Sequence, residues 1–130
     1  MKLFLAQLNN IVGDIEGNLN KAIDVLQDAK KLDSDLVIFS ELFLSGYPPE
    51  DLVLKKSFVS ACKNALDSLI TYSEEKELGV IIGLPIYEKN KLFNAAAVID
   101  KGQLIGFSKK VNLPNYLSLI HIWRCRRAYR

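Results

Sequence analysis

The stretch LVIFSELFLSGYPPEDLVL, residues 36–54, begins with four apolar residues and places a carboxylate, Glu41, just beyond them. The run DLVIF (35–39) predicts a buried strand. Residues that follow the carboxyl end of a strand in an α/β sheet lie where ligands bind, so a rigid strand can carry Glu41 into a crevice as a general base. Taken alone, the pattern is also that of a helix-capping or solvated acid. The rigid turn at 46–49 is expected to hold a loop that walls the site.

Strands and helices alternate on both sides of this stretch. The run KLFLAQL (2–8) predicts a first strand. Apolar residues at helical spacing over 19–29 predict a helix, with Asn18 as its N-cap. A second helix is predicted around the apolar residues of 58–70, ending before Gly79.

The remaining body predicts three strands joined by short turns: GVIIGLPIYE (79–88), LFNAAAVID (92–100) and QLIGFSKK (103–110). The first of these is expected to be interrupted or to end near Pro85, and the turns are expected at Asn90-Lys91 and Lys101-Gly102. The element order is therefore β-α-β-α-β-β-β. Strands separated by helices favour parallel pairing, and strands joined by short turns favour an antiparallel meander, so the fold class is α/β.

Composition excludes several classes of protein. The chain has 130 residues, of which 49% are hydrophobic, as in an ordinary single globular domain. No apolar run approaches the ~20 residues of a membrane span, and the first ten residues are too polar for a signal peptide, so we expect a cytoplasmic protein with no membrane partner. Two cysteines and one histidine predict neither a disulfide framework nor a metal site.

The net positive charge of the chain comes from its last residues. All four arginines lie within residues 124–130, whereas residues 1–116 hold 13 lysines and 15 acids, a balance of 13 − 15 = −2. A basic tail on an acidic body does not predict a nucleic-acid partner.

A second motif, KKVNLPNY (109–116), places two lysines at the end of a predicted strand. Such lysines are usually a solvated strand end. Together with AQLN (6–9) and Glu41, however, the K-x-x-L-P of Lys110–Pro114 resembles the nitrilase, or carbon–nitrogen hydrolase, superfamily. The segments SGYPPEDL (45–52) and LPNY are more specific, and resemble the glutamine-hydrolysing N-terminal domain of glutamine-dependent NAD synthetases. The resemblance covers residues 1–116.

The resemblance implies the N-terminal portion of an α-β-β-α sandwich and a Glu-Lys-Cys triad that hydrolyses an amide. Glu41 would be the general base, Lys110 would stabilise the oxyanion, and Tyr116 would line the glutamine pocket. The cysteine nucleophile of the family lies downstream and has no counterpart in this chain. Cys62 falls on the apolar face of a predicted helix and is expected to be a core residue, and Cys125 lacks the family's neighbouring residues.

The same resemblance implies further partners. In the family, ammonia passes to a C-terminal synthetase domain that uses ATP and magnesium to amidate nicotinic acid adenine dinucleotide, and the intact enzymes usually form homo-oligomers. Neither that domain nor a cofactor site is expected in this chain. We expect a truncated domain, inactive by itself. Two alternatives stay open: a free-standing amidase acting on another small amide, and a non-catalytic α/β module that binds a partner.

The last residues, LSLIHIWRCRRAYR (117–130), differ abruptly from the body. LSLIHI back-translates to CTG TCT CTT ATA CAC ATC, which resembles the transposon end of sequencing-library adapters. The following adapter codons, TGA CGC TGC CGA CGA, give W-R-C-R-R where TGA is translated as Trp. We therefore expect two parts: a hydrolase segment over 1–116 and a non-native tail over 117–130.

Overall fold

Two helices pack on one face of a five-stranded sheet. The structure, a computed structural model, describes residues 1–111. Its elements are β1 (Leu3–Ala6), α1 (Ile15–Lys31), β2 (Leu36–Phe39), a 3-10 turn (Glu50–Leu54), α2 (Lys56–Lys76), β3 (Gly79–Glu88), β4 (Lys91–Asp100) and β5 (Gln103–Lys109). Neither helix is long and apolar enough to cross a membrane. The predicted element order is confirmed.

The strands lie in the sheet in chain order, β1-β2-β3-β4-β5. The first three pair in parallel and the last three form an antiparallel meander, as the sequence predicts. Because β5 reverses the direction of β4, it runs parallel to β2 and β3. The carboxyl ends of β2 and β5 therefore meet at the same edge of the sheet, and these are the ends that carry Glu41 and Lys110.

Alternating side chains divide the sheet into two different faces. One face packs under the helices in a core whose fully buried members include Leu26, Leu66, Leu69, Ile82 and Leu84. Residues of opposite parity form the other face, which we call the open face: Leu3, Leu5, Leu36, Ile38, Ile81 and Val98. Leu5 is 65% exposed. The described helices therefore leave an apolar row of the sheet uncovered.

The start of α1 differs from the prediction. Asp14, not Asn18, is the N-cap, and its carboxylate accepts a hydrogen bond from Gly17 N at 3.0 Å. Asn18 lies inside the helix and is fully buried, bonding to the backbone of Ile11 and Leu44. Both residues have the chemistry of a cap, but the tertiary contacts of Asn18 place it one turn into the helix.

Strand β3 runs through Pro85 without interruption, which corrects the predicted break. Pro85 is paired with Asn94 of β4. The backbone oxygen of Asn94 accepts a hydrogen bond from Lys110 N on the β5 side, so Asn94 does not bond to Pro85 and the Pro85 nitrogen faces away from β4. On that other side β2 pairs with β3 only as far as Ile81. The missing N–H therefore costs no ladder hydrogen bond. The following turn is at Lys89-Asn90, one residue earlier than predicted, and both residues have positive φ, whereas Lys101-Gly102 is a turn as predicted.

Candidate active site

Glu41 reaches the middle of the sheet because the chain crosses over β3. After β2 ends at Phe39, residues 40–42 pass directly over Gly83. A Cβ on Gly83 would lie 2.4 Å from Leu42 N and 2.7 Å from Ser40 O, too close for any side chain. The glycine therefore lets the backbone bring Glu41 across β3 towards β4.

The chain bends sharply after Glu41 and is then fixed. Leu42 has a φ of 52°, which is unfavourable for a branched side chain, and it is fully buried. Leu44 N donates to Gly83 O at 3.1 Å, which ties the bend to β3. Asn10 Nδ2 donates to Phe43 O at 2.7 Å, and Asn18 Nδ2 to Leu44 O at 3.2 Å. These bonds hold the backbone that carries Glu41 in one position.

Lys110 approaches from the end of β5. Its Nζ lies 2.6 Å from Glu41 Oε1, although the two residues are 69 positions apart. The neighbouring Lys109 points elsewhere, pairing with Glu88 and lying 4.7 Å from the centre of the Phe93 ring. The prediction that Glu41 and Lys110 share one crevice and are close enough to pair is confirmed, and Lys110 is the lysine involved.

Asn94 is a third member of the site that the sequence analysis did not identify. Its Nδ2 donates to Glu41 Oε1 at 2.6 Å, and its backbone oxygen accepts from Lys110 N at 2.9 Å. The side chain is buried on the side of β4 that faces away from the helices. The available signal was a lone amide inside the apolar run LFNAAAVID, since a buried amide requires a hydrogen-bonding partner.

A cleft of about 360 Å³ surrounds these groups, a size suited to a small-molecule ligand. It is lined by Phe39, Ser40, Glu41, Gly83, Asn94, Ala95, Ala96, Ser108, Lys109 and Lys110. Pro48 and Pro49 line a separate cavity of about 460 Å³ instead. The described lining of the cleft does not include the prolines, and the expectation that the turn at 46–49 holds a loop beside Glu41 stays a prediction.

The ion pair between Glu41 and Lys110 contributes little to the stability of the fold. The side chains of Glu41 and Lys110 are 40% and 35% exposed, and an ion pair so accessible to water contributes only about 0–1 kcal/mol to folding. A carboxylate that accepts a proton beside a cation that stabilises a developing oxyanion is, by contrast, a combination used in acyl transfer. Residues 1–111 contain no group of three or more His, Cys, Asp or Glu side chains that could hold a metal ion.

The one cysteine among residues 1–111 lies in the core and not in the cleft. Cys62 is fully buried on α2, and burial raises the pKa of its thiol to about 12. A thiol with this pKa is almost entirely protonated at neutral pH and is a poor nucleophile. The expected core role of Cys62 agrees with this position. Tyr116, Cys125 and the predicted tail over 117–130 lie outside the described residues.

Comparisons with known proteins identify the family of the chain. The carbon-nitrogen hydrolase family model matches residues 3–125, and the chain belongs to that family. Within the family, its relatives include the glutamine-dependent NAD(+) synthetase of Aquifex aeolicus, which is 46% identical over 116 residues. That match covers 89% of this chain and 20% of the relative, so the chain spans about a fifth of the length of the NAD synthetases it resembles.

Solved structures confirm the nitrilase-type fold. The glutamine-dependent NAD+ synthetase of Acinetobacter baumannii, in complex with adenosine diphosphate, superposes with a TM-score of 0.80 and is 38% identical. The match covers 88% of this chain and 21% of that one. An amidase from Nesterenkonia sp., 22% identical, superposes with a TM-score of 0.81 over 91% of this chain and 45% of its own, and shows likeness of fold alone.

Proposed function

We propose that residues 1–116 are the N-terminal part of the glutamine-hydrolysing domain of a glutamine-dependent NAD synthetase. Such a domain converts glutamine to glutamate and ammonia, and the ammonia serves the ATP-dependent amidation of nicotinic acid adenine dinucleotide to NAD. The observation that supports this best is the contact of 2.6 Å between Lys110 and Glu41 in a small-molecule cleft. The relatives named above, which match most of this chain, support the choice of glutamine over other amides.

In the proposed reaction, Glu41 takes the proton of a cysteine thiol, and the thiolate attacks the amide carbon of glutamine. Lys110 stabilises the negative oxygen of the tetrahedral intermediate. The C–N bond then breaks, ammonia leaves with the proton returned by Glu41, and water hydrolyses the thioester to glutamate. Because Cys62 lies in the core, the nucleophile would come from a segment other than residues 1–111. Tyr116 is proposed to line the glutamine pocket, and ATP and magnesium would bind in the synthetase domain.

A chimaeric enzyme tests the proposal. Residues 1–116 would replace the matching segment of the Aquifex aeolicus relative, and NAD formation would be measured with glutamine or with ammonium chloride as the nitrogen source. Glutamine should support NAD synthesis, and Glu41→Gln and Lys110→Met should each reduce the glutamine-dependent kcat on the order of 10²-fold or more. Ammonia bypasses the hydrolytic site, so the rates with ammonia should not change.

The two nitrogen sources also separate the outcomes. A chimaera that makes NAD from ammonia but not from glutamine would contradict the proposal. Unimpaired glutamine use by Glu41→Gln would contradict the assignment of the base. A chain whose only role is to bind a partner should likewise tolerate that substitution.

A further inference from the structure

Asn94 contacts both charged members of the site, and this suggests a role beyond packing. Its amide donates to the Glu41 carboxylate at 2.6 Å, while its backbone oxygen receives the Lys110 N–H at 2.9 Å. The residue is 4% exposed and lies inside β4, between Phe93 and Ala95. A strand residue that is buried and paired on both sides has little freedom to move, so it can fix the position of more mobile groups.

The two donors to Glu41 meet on the same oxygen. Asn94 Nδ2 and Lys110 Nζ each lie 2.6 Å from Oε1. Among residues 1–111, no donor pairs with Oε2. The described donors therefore hold the carboxylate through Oε1 and leave Oε2 without a partner among these residues.

We infer that Asn94 is a positioning residue for the reaction proposed above, and that it orients Glu41 so that Oε2 accepts the proton of the nucleophile. Lys110 alone cannot set this orientation, because a flexible lysine pairs with a carboxylate over a wide range of angles. The short side chain of Asn94, on a strand that is itself fixed by pairing, supplies a hydrogen bond of fixed direction. The inference rests on the proposed function, since it assigns a role within that same site.

The test uses the chimaeric enzyme and three single variants. Asn94→Ala removes the donor, and Asn94→Asp keeps the shape but replaces the N–H donor with a second carboxylate facing Glu41. Both should lower the glutamine-dependent kcat on the order of 10- to 100-fold, as expected for a misplaced catalytic group, with less than about a threefold change in the KM for glutamine. Asn64→Ala, the same substitution at an exposed position on α2, should leave both parameters unchanged.

A double-mutant cycle distinguishes positioning from stability. If Asn94 acts through Glu41, adding Asn94→Ala to Glu41→Gln should reduce the residual kcat by less than about twofold. An equal loss in both backgrounds, or an Asn94→Asp enzyme as active as the wild type, would overturn the inference. Absence of glutamine-dependent activity in the unsubstituted chimaera, with ammonia still used, would instead overturn the proposed function.

Discussion

At the scale of single residues, Glu41 and Lys110 differ in how their positions are fixed. Glu41 is carried by a buried bend with three hydrogen bonds: Phe43 O accepts from Asn10, Leu44 O accepts from Asn18, and Leu44 N donates to Gly83 O. Within residues 1–111, Lys110 is anchored by one backbone bond, from its N–H to Asn94 O, at the end of β5. The carboxylate is therefore the rigid partner, and the lysine adjusts to it.

Gly83 should be intolerant of even a methyl group. In Gly83→Ala the new Cβ would lie 2.4–2.9 Å from the backbone of residues 40–42, so that segment must move. We expect a loss of about 1–3 kcal/mol in the free energy of unfolding, measured by urea denaturation, and a loss of glutamine-dependent kcat in the chimaera.

Gly79→Ala is the matched control, because it lies on the same face of the same strand. There the nearest atom is the end of the flexible Leu36 side chain, at 3.1 Å. Gly79→Ala should lower the free energy of unfolding by less than Gly83→Ala does, and should leave the glutamine-dependent kcat unchanged. Equal effects of the two substitutions would show that the crossing over Gly83 does not set the position of Glu41.

Cys62 should be inert while the protein is folded. With its pKa raised to about 12, roughly one thiol in 10⁴ is ionised at pH 8. In a Cys125→Ser chain, a thiol reagent such as Ellman's reagent should react with Cys62 only after unfolding in guanidinium chloride. Rapid reaction of the native chain would contradict the core position, and Cys62 would become a candidate nucleophile.

Sequence patterns predicted Glu41 and Lys110 but not Asn94 or Gly83. The first two follow strand ends within recognisable motifs. The roles of the other two depend on a crossing between segments about 40 residues apart, and no local pattern specifies which glycine or amide lies beneath that crossing. The sequence also could not show that Pro48 and Pro49 line a different cavity from the one that Glu41 lines.

At the scale of elements, the N-terminus of α1 depends on Asp14. Asp14→Ala removes the acceptor for Gly17 N and should reduce the free energy of unfolding by ~1 kcal/mol. Asp14→Asn should retain most of the stability, because asparagine caps helices about as well as aspartate. Denaturation monitored by circular dichroism would measure both changes. Equal losses would show that the charge, and not the cap, is responsible.

Element types could be predicted because their signals are local. Helical spacing gave both helices, and two-residue turns gave the antiparallel meander. The errors at Asn18 and Pro85 share one cause. Neighbours that are distant in sequence decide both cases. They determine whether an asparagine caps a helix or bonds to a loop, and whether the nitrogen of a proline faces a paired strand.

At the scale of the whole molecule, the proposed division at residue 116 can be tested by truncation. If residues 117–130 are an adapter-derived tail, a chain ending at 116 should melt at the same temperature as the 130-residue chain or higher, and should be at least as soluble. Differential scanning calorimetry and sedimentation would measure the two properties. A clear loss of melting temperature would show that the tail belongs to the fold.

The 130-residue chain is also expected to release no glutamate or ammonia from glutamine. Its described residues include the pair proposed as base and cation, but their one cysteine is buried. Hydrolysis without a covalent intermediate forgoes the division of one difficult step into two easier ones. A coupled glutamate assay should find the chain no faster than its Glu41→Gln variant. Turnover above that control would mean that a nucleophile is present after all.

The open face has a consequence for how such a molecule is made on the ribosome. Asn94 and the crossing over Gly83 lie on the same side of the sheet as Leu5 and Ile38. A segment that covered this face over β3 and β4 would lie over the cleft as well as over Ile81 and Val98, and would limit the access of water to Glu41. While the chain is being synthesised and this face is uncovered, its exposed apolar side chains favour association with other chains.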